Sequence, residues 1–470
     1  MICRSLLFSV LSCLLVTLSS CGGENKSTAV TRPQPLPQDP FIQAYFNHNL
    51  AQGANYTDPY RQQKRPGDNL EQIIIDMIAT AEESIAVAVQ EFRLPKIAQA
   101  LAEKKRSGVE VRVIIEDDYN RSWSQYSEAE VNQMTQRDRS RYQAGFNFID
   151  INGDGTLTPA EIEKRDAFVI LENAGIPILD DTADDSKGSG LMHHKFVVVD
   201  QDKLIATSAN FTLSGIHGDL DAPETQGNTN NLLTIQSREL AQIFLEEFNL
   251  MWGDGVGGKP DSQFGLKKKA HQFSSLMIGE SEVSVHFSPT SKTEPWLESS
   301  NGFISQQLAE AKTAVNFALF VFSDQKIVDT LGQTYEKGTQ VKGLIDSGFA
   351  YRYYSEGLDM LGVTLTRNCQ PEKNNNPWRS PVSTVGVPEL QKGDKLHHKF
   401  AVIDQKTVVT GSHNWSASAN HSNDEFVLVI KNPKVAAHYE QEFQRLFNNA
   451  QLGIPEWLQK RVKSQEKDCP

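Results

Sequence analysis

Two segments, LMHHKFVVVD at 191–200 and KLHHKFAVID at 395–404, each place a histidine two residues before a lysine and seven before an aspartate inside an apolar run. On an extended strand alternate side chains share a face. His193 with Lys195, and His397 with Lys399, therefore present an imidazole and an ammonium to one side, while the residue between them points elsewhere. An imidazole whose ordinary pKa is near 6.5 serves as nucleophile or acid close to neutrality. About fifteen residues on come TSAN and GSHN, in which Ser208, Asn210, Ser412 and Asn414 offer small polar donors from a tight turn. Taken singly, such a histidine is more often structural than catalytic. The same set twice, at matched distances, points to one site built from both copies. Asp200 and Asp404 read as strand-end caps rather than reacting groups.

The elements that must position these residues are themselves duplicated. Residues 81–116 match 311–346 at a constant offset of 230, with Ala81 on Ala311, Phe92 on Phe322, Gly108 on Gly338 and Ile115 on Ile345. Each copy runs from an amphipathic helix (70–81 in the first) through an apolar strand and a second helix to a glycine-started strand. That alternation predicts α/β layers with a largely parallel sheet. Phe317, Phe320 and Phe322 read as core.

The paired motifs resemble the HKD motifs of the phospholipase D superfamily, and the resemblance runs from about Phe41 to Leu446. It implies two tandem α/β sandwich domains related by a pseudo-twofold, with one active site at their seam. It further implies phosphodiester cleavage without a catalytic metal, through a phosphohistidine on one histidine while the other protonates the leaving alcohol. Two lysines and two asparagines would surround the equatorial oxygens of the transition state with positive charge and donors.

The copies differ where the family carries an NxE element. The second has Asn423, Asp424 and Glu425, the first Asn228, Thr229 and Asn230 after a longer loop. Reading each brace as local to its own copy, His193 leans on the amide of Asn230 and His397 on the carboxylate of Glu425. On that ground His397 is the general acid and His193 the nucleophile.

The first copy also carries an insertion of about 43 residues between Asp117 and Gly175. Within it DINGDGTLTPAE has EF-hand spacing: Asp150, Asn152 and Asp154 at positions 1, 3 and 5, Gly155 at the turn, Thr156 giving a carbonyl, and Glu161 at position 12. A structural calcium ion is expected there. Ser127 with Glu130 and Thr158 with Glu161 read as helix caps on either side. The acidic group Asp180, Asp181, Asp184 and Asp185 lacks ligand spacing and reads as a solvated loop, and the loop around Trp378 as a shaper of the pocket mouth.

Arg4 precedes an apolar run over 6–18 that is too short to span a bilayer and suits a secretory signal. Its end, Leu18, Ser19, Ser20 and Cys21, resembles a lipobox, which implies an exported bacterial lipoprotein anchored through Cys21. Of the remaining cysteines, Cys369 and Cys469 have the option of one disulfide. The expected division is a signal over 1–20, a tether over 21–40, a first domain over 41–255 with its insert about 118–165, a linker over 256–280, a second domain over 281–450 and a tail over 451–470. The 470 residues, 39% hydrophobic and 22% charged, describe a multidomain globular chain, with a monomer expected. The net charge of −13 disfavours nucleic acid as a partner. Phospholipid head-group hydrolysis or transfer at a membrane surface is the leading expectation. An extracytoplasmic nuclease, for which Lys267, Lys268 and Lys269 would line a basic trench, and an inactive calcium-binding scaffold are the alternatives.

Overall fold

The structure is a computed structural model that describes residues 32–186, 190–269 and 273–469. The first sheet runs in the order Ile42–Phe46, Asn231–Gln236, Lys203–Thr207, Lys195–Val199, Ser84–Val89, Glu110–Ile115, Ile178–Asp180. The second repeats the last six places as Glu425–Lys431, Thr407–Gly411, Lys399–Ile403, Ala314–Leu319, Gln340–Ile345 and Val385–Val387, and extends both edges with Ser274–Ile278, Ser281–Ser288 and Gln451–Leu452. The layers alternate as expected for α/β. Helices Leu70–Ala79 and Pro95–Arg106 cover the outer face of the first sheet, and Ser300–Ala309 and Gln325–Glu336 that of the second. Helices Arg238–Trp252 and Pro433–Phe447 contribute Phe244, Phe248, Tyr439 and Phe443 to a single apolar core that also holds Phe196 and Phe400, so the two halves share their interior.

The largely parallel sheet expected from the repeat is corrected. Within each of the two large sheets, among the described residues, only the Ser84–Val89 or Ala314–Leu319 strand and the two beyond it pair in parallel. The histidine strands run antiparallel to both neighbours. The cause is a tight turn at Asp200-Gln201 and at Asp404-Gln405, where all four residues have φ between 50 and 56°, the left-handed pair that a hairpin requires. The aspartates hold these turns down: Asp200 accepts the amides of Glu82, Glu83 and Ser84, and Asp404 those of Lys312, Thr313 and Ala314. They cap strands, as their positions suggested. This antiparallel register sets Lys195 opposite Val89 and Lys399 opposite Leu319, so both motifs lie at the carboxyl edge of the parallel strands, the edge where open α/β sheets bind ligands.

Several boundaries move. The tether ends earlier than residue 40, because Arg32 donates to the carbonyls of Leu50, Ala51 and Ala54 and buried Asp39 accepts from Asn432 Nδ2. The linker ends before 280, since Ser274–Ile278 is already a strand of the second sheet. The tail forms a helix, Glu456–Asp468, stapled to the body by a disulfide between Cys369 and Cys469 and by Gln465 bonding both backbone groups of Thr366. Of the acidic group expected to be a solvated loop, Asp184 and Asp185 are exposed, Asp184 accepting the Ser262 amide, whereas Asp181 is buried and accepts the Asp117 amide. Trp378 stacks on Tyr335 of an outer helix. Among the described residues no helix is long and apolar enough to cross a membrane. The 1–20 signal and Cys21 lie outside the described residues.

Candidate active site

Each histidine strand begins against the opposite half. Met192 bridges to Asp424 and Leu396 to Thr229, both in parallel, and the His193 amide donates to the Asp424 carbonyl at 2.9 Å. The exchange is reciprocal, as a twofold relation between the halves requires. It also corrects the expected braces. His193 Nδ1 lies 2.8 Å from Glu425 Oε2, and His397 Nδ1 lies 2.9 Å from Asn230 Oδ1. The carboxylate therefore serves the first-half histidine and the amide the second-half one. An acceptor at Nδ1 fixes that nitrogen as the protonated one, so Nε2 carries the lone pair of each neutral ring.

The turn serines tie each brace to its sheet. Ser208 Oγ donates to Asn230 Oδ1 at 2.8 Å and accepts the Asn231 amide, while Ser412 Oγ accepts the Phe426 amide at 3.1 Å. Gly411 has φ 144°, and a Cβ there would lie 2.2 Å from the Phe426 carbonyl oxygen. The first half has Thr207 instead, whose hydroxyl donates to the Asn231 carbonyl. Lys195 Nζ and Lys399 Nζ each donate to the carbonyl of their own histidine, at 2.9 and 2.7 Å. Asn210 and Asn414 each keep a buried Oδ1 without a partner.

Several contributors escaped sequence reading. Gln90 Oε1 accepts from Lys195 Nζ at 3.3 Å and from Asn210 Nδ2 at 3.4 Å. Its counterpart at offset 230 is Phe320, which was expected in the core. Phe320 instead packs on the His397 ring at 5.0 Å and under Lys399, because it stands just past its strand's end. The intervening histidines point to the shared core, where His194 Nε2 meets Glu247 Oε1 at 2.9 Å and His398 Nε2 meets Glu442 Oε1 at 2.8 Å. The repeat itself held a signal for these glutamates, each in the helix that follows its motif, but an acidic residue on a helix carries no mark of what it will face.

Electrostatics follow from burial of like charges. Burial, then the Lys195 and Lys399 ammoniums, push His193 well below its ordinary pKa, and burial with the same two cations does so for His397. Both rings are thus neutral before an anion enters. Lys195 is itself pulled down to about 7 by burial, against the opposing pull of Glu425, Glu116 and Glu91. Burial raises Glu425.

The 150–161 loop lies between helices Gln136–Ile149 and Pro159–Arg165. Its incoming helix is capped by Thr135 rather than by Ser127, which caps the short helix Glu128–Gln133 before it. Asp150 accepts the Gly153 and Gly155 amides, Asn152 that of Asp154, and Asp154 that of Thr156. Glu161 closes the ring on the Ile151 and Asn152 amides. Gly155, at φ 81°, makes the turn. An all-oxygen donor set on a loop this short fits a hard divalent cation.

A family model described as cardiolipin synthase, PLD-like domain, matches residues 74–252 and again 304–447. The chain belongs to this family. Both phospholipase D-like matches contain an HxK strand and its following TSAN or GSHN turn. A mitochondrial cardiolipin hydrolase of Chlamydomonas reinhardtii is 26% identical over 141 residues, 30% of this chain and 54% of that protein. The one from Xenopus laevis is 27% identical over 153 residues, 33% of this chain and 63% of that protein. The chain thus spans about half to two thirds of the length of these curated relatives. A phospholipase D of Rickettsia bellii (strain RML369-C) is 26% identical over 218 residues, 44% of this chain and 94% of that protein. The crystal structure of phosphatidylserine synthase from Haemophilus influenzae Rd KW20 is alike in fold, with a TM-score of 0.52 over 93% of this chain and 97% of that one at 14% identity.

Proposed function

We propose that the chain is a phospholipase D that cleaves the head-group phosphodiester of glycerophospholipids through a phosphohistidine. The observation that carries this reading is the pair of imidazoles braced from opposite halves, each with a lysine beside it. His193 is the nucleophile and His397 the acid, an assignment kept from the sequence but on the opposite ground. As Nε2 of His193 attacks phosphorus its ring gains positive charge, and the Glu425 carboxylate stabilises that charge in the transition state. An acid loses charge in the same step, so a carboxylate would hold its proton back, whereas the Asn230 amide leaves His397 free to release it.

In this mechanism the N–P bond forms as the P–O bond to the head-group alcohol breaks, and His397 Nε2–H protonates the leaving oxygen. Water then attacks phosphorus, His397 takes its proton, and the P–N bond breaks to return His193. Lys195, Lys399, Asn210 and Asn414 receive the charge on the phosphoryl oxygens. The anionic substrate counters the two lysines and lets His397 hold its proton. Names of the relatives, cardiolipin hydrolase and phospholipase D, support a lipid substrate. In our reading Cys21 carries a lipid anchor on the exported protein and keeps the monomeric body beside a bilayer, and Asp150, Asn152, Asp154, Thr156 and Glu161 hold a calcium ion that stiffens the insert.

The test is a panel of vesicles with choline, ethanolamine, glycerol and cardiolipin head groups beside plasmid DNA, run on wild type and His193→Ala, with acid-quenched trapping of the phosphoenzyme. Lipid turnover, lost in His193→Ala, and a phosphoryl label on His193 are expected. DNA cleavage with every lipid untouched would overturn the substrate, and a label on His397 would overturn the roles.

A further inference from the structure

The second half neutralises the carboxylate behind its inner histidine from within one helix. Glu442, the partner of His398, is clasped by Arg445 one turn on, at 2.7 and 2.8 Å. The first half has Glu247 behind His194, but one turn on stands Leu250, which brings no charge. Its cation comes from the segment between the halves. Lys268, with only 4% of its side chain exposed, reaches Glu247 and lies 2.6 Å from Asp424 Oδ1 of the other half. Phe264, buried in the shared core, anchors this segment, and the Gly265 amide adds a second bond to Asp424 at 2.9 Å. Lys267 meanwhile is tied to the Asp185 carbonyl. Lys268, buried on Glu247 and Asp424, thus does not line the basic trench that would have supported the nuclease alternative.

Asp424 is the residue whose carbonyl accepts the His193 amide and whose neighbour Glu425 accepts from the His193 ring. A single ammonium thus ties together both supports of the HxK strand: the carboxylate behind His194 and the segment that braces His193. We propose that Lys268 is a positioning residue for His193, a linker cation that sets the Glu425 brace in register across the two halves. Burial alone would drive its proton off, yet the carboxylates of Asp424 and Glu247 outweigh that penalty and raise its pKa, so the clamp stays charged across the neutral range. Removing it leaves two carboxylates buried and facing each other, which shifts the Asp424–Glu425 segment rather than the phosphate-binding lysines.

The inference rests on the phosphohistidine reading for its kinetic consequence but not for its structural one, so both are measured. Lys268→Met and Asp424→Asn, compared with Lys269→Met on the exposed neighbour, should each lower kcat at least tenfold with KM within about twofold, on whichever phosphodiester the wild type consumes. Proton NMR reads the Nδ1–H of His193 in its hydrogen bond to Glu425, assigned by its loss in His193→Ala, whether or not any substrate turns over. That resonance should shift or vanish in Lys268→Met and Asp424→Asn and stay put in Lys269→Met. Should Lys268→Met fail to fold by circular dichroism, Asp424→Asn decides, since it leaves Lys268 paired with Glu247. An unmoved resonance, or a loss that falls on KM instead of kcat, would overturn the proposal. A wild type without turnover but with the expected NMR changes would sink the functional reading alone.

Discussion

Glu425 of the second half accepts from the ring of His193 in the first, 2.8 Å away and 232 residues distant in sequence. Separated halves would each hold a histidine without its brace.

Replacing that carboxylate by its amide should separate charge from geometry. Glu425→Gln keeps an acceptor at Nδ1 but removes the charge that stabilises the imidazolium, so kcat should fall roughly a hundredfold or more while KM changes little. Asn230→Asp should also slow turnover, because it strengthens the hold of His397 on its proton. Steady-state kinetics on the two variants check both.

Leaving-group chemistry distinguishes the two histidines. An alcohol with the acidity of nitrophenol leaves without protonation, so His397→Ala should recover phosphoenzyme formation on a nitrophenyl phosphodiester, read as a burst of nitrophenol ahead of slow hydrolysis, while His193→Ala should show no burst. Equal recovery by both would contradict the assigned roles.

The pH profile has a sign that follows from Lys195. Burial holds this ammonium down to about 7, and a lysine loses its charge above its pKa. Affinity of the free enzyme for an anionic diester should therefore fall as pH rises through about 7, and kcat/KM with it. Bound phosphate pulls the same pKa upward, so kcat should persist to higher pH. Rates across roughly pH 6 to 9 measure the gap between the two limbs, and Lys195→Met should weaken binding and move the fall to higher pH, leaving the contribution of Lys399, which burial and Lys195 also hold well below the ordinary lysine value.

Calcium should bind the insert and not the reaction centre. Calorimetry should show about one site per chain, lost in Glu161→Gln, which also gives up part of the ring that Glu161 closes on Ile151 and Asn152. Absence of calcium heat in the wild type would end this reading.

The disulfide joins residues 100 apart in sequence, Cys369 and Cys469, and neither is part of a histidine strand. Cys369→Ser should lower unfolding free energy by about 2–4 kcal/mol with kcat unchanged, as read by denaturant titration with parallel assays.

Much of the site was written in local pattern. Strand alternation placed His193 with Lys195 and His397 with Lys399, and the duplication said that the two faces belong together. The end-of-strand aspartates announced their capping role, and Thr158 with Glu161 the helix start that the structure shows. Each depends on neighbours within a few residues, where backbone period and side-chain reach leave little choice.

What only the tertiary structure decided was the partner of each pattern. Glu425 follows the second motif in sequence yet braces the first, Gln90 and Phe320 occupy one repeat position with opposite characters, and Lys268 supplies from a linker the charge that Arg445 supplies within a helix. Periodicity fixes which way a side chain points from its own strand. Which residue it meets depends on how two sheets dock over one shared core, and that is settled by packing summed across the whole interface, of which no short stretch of chain holds a record.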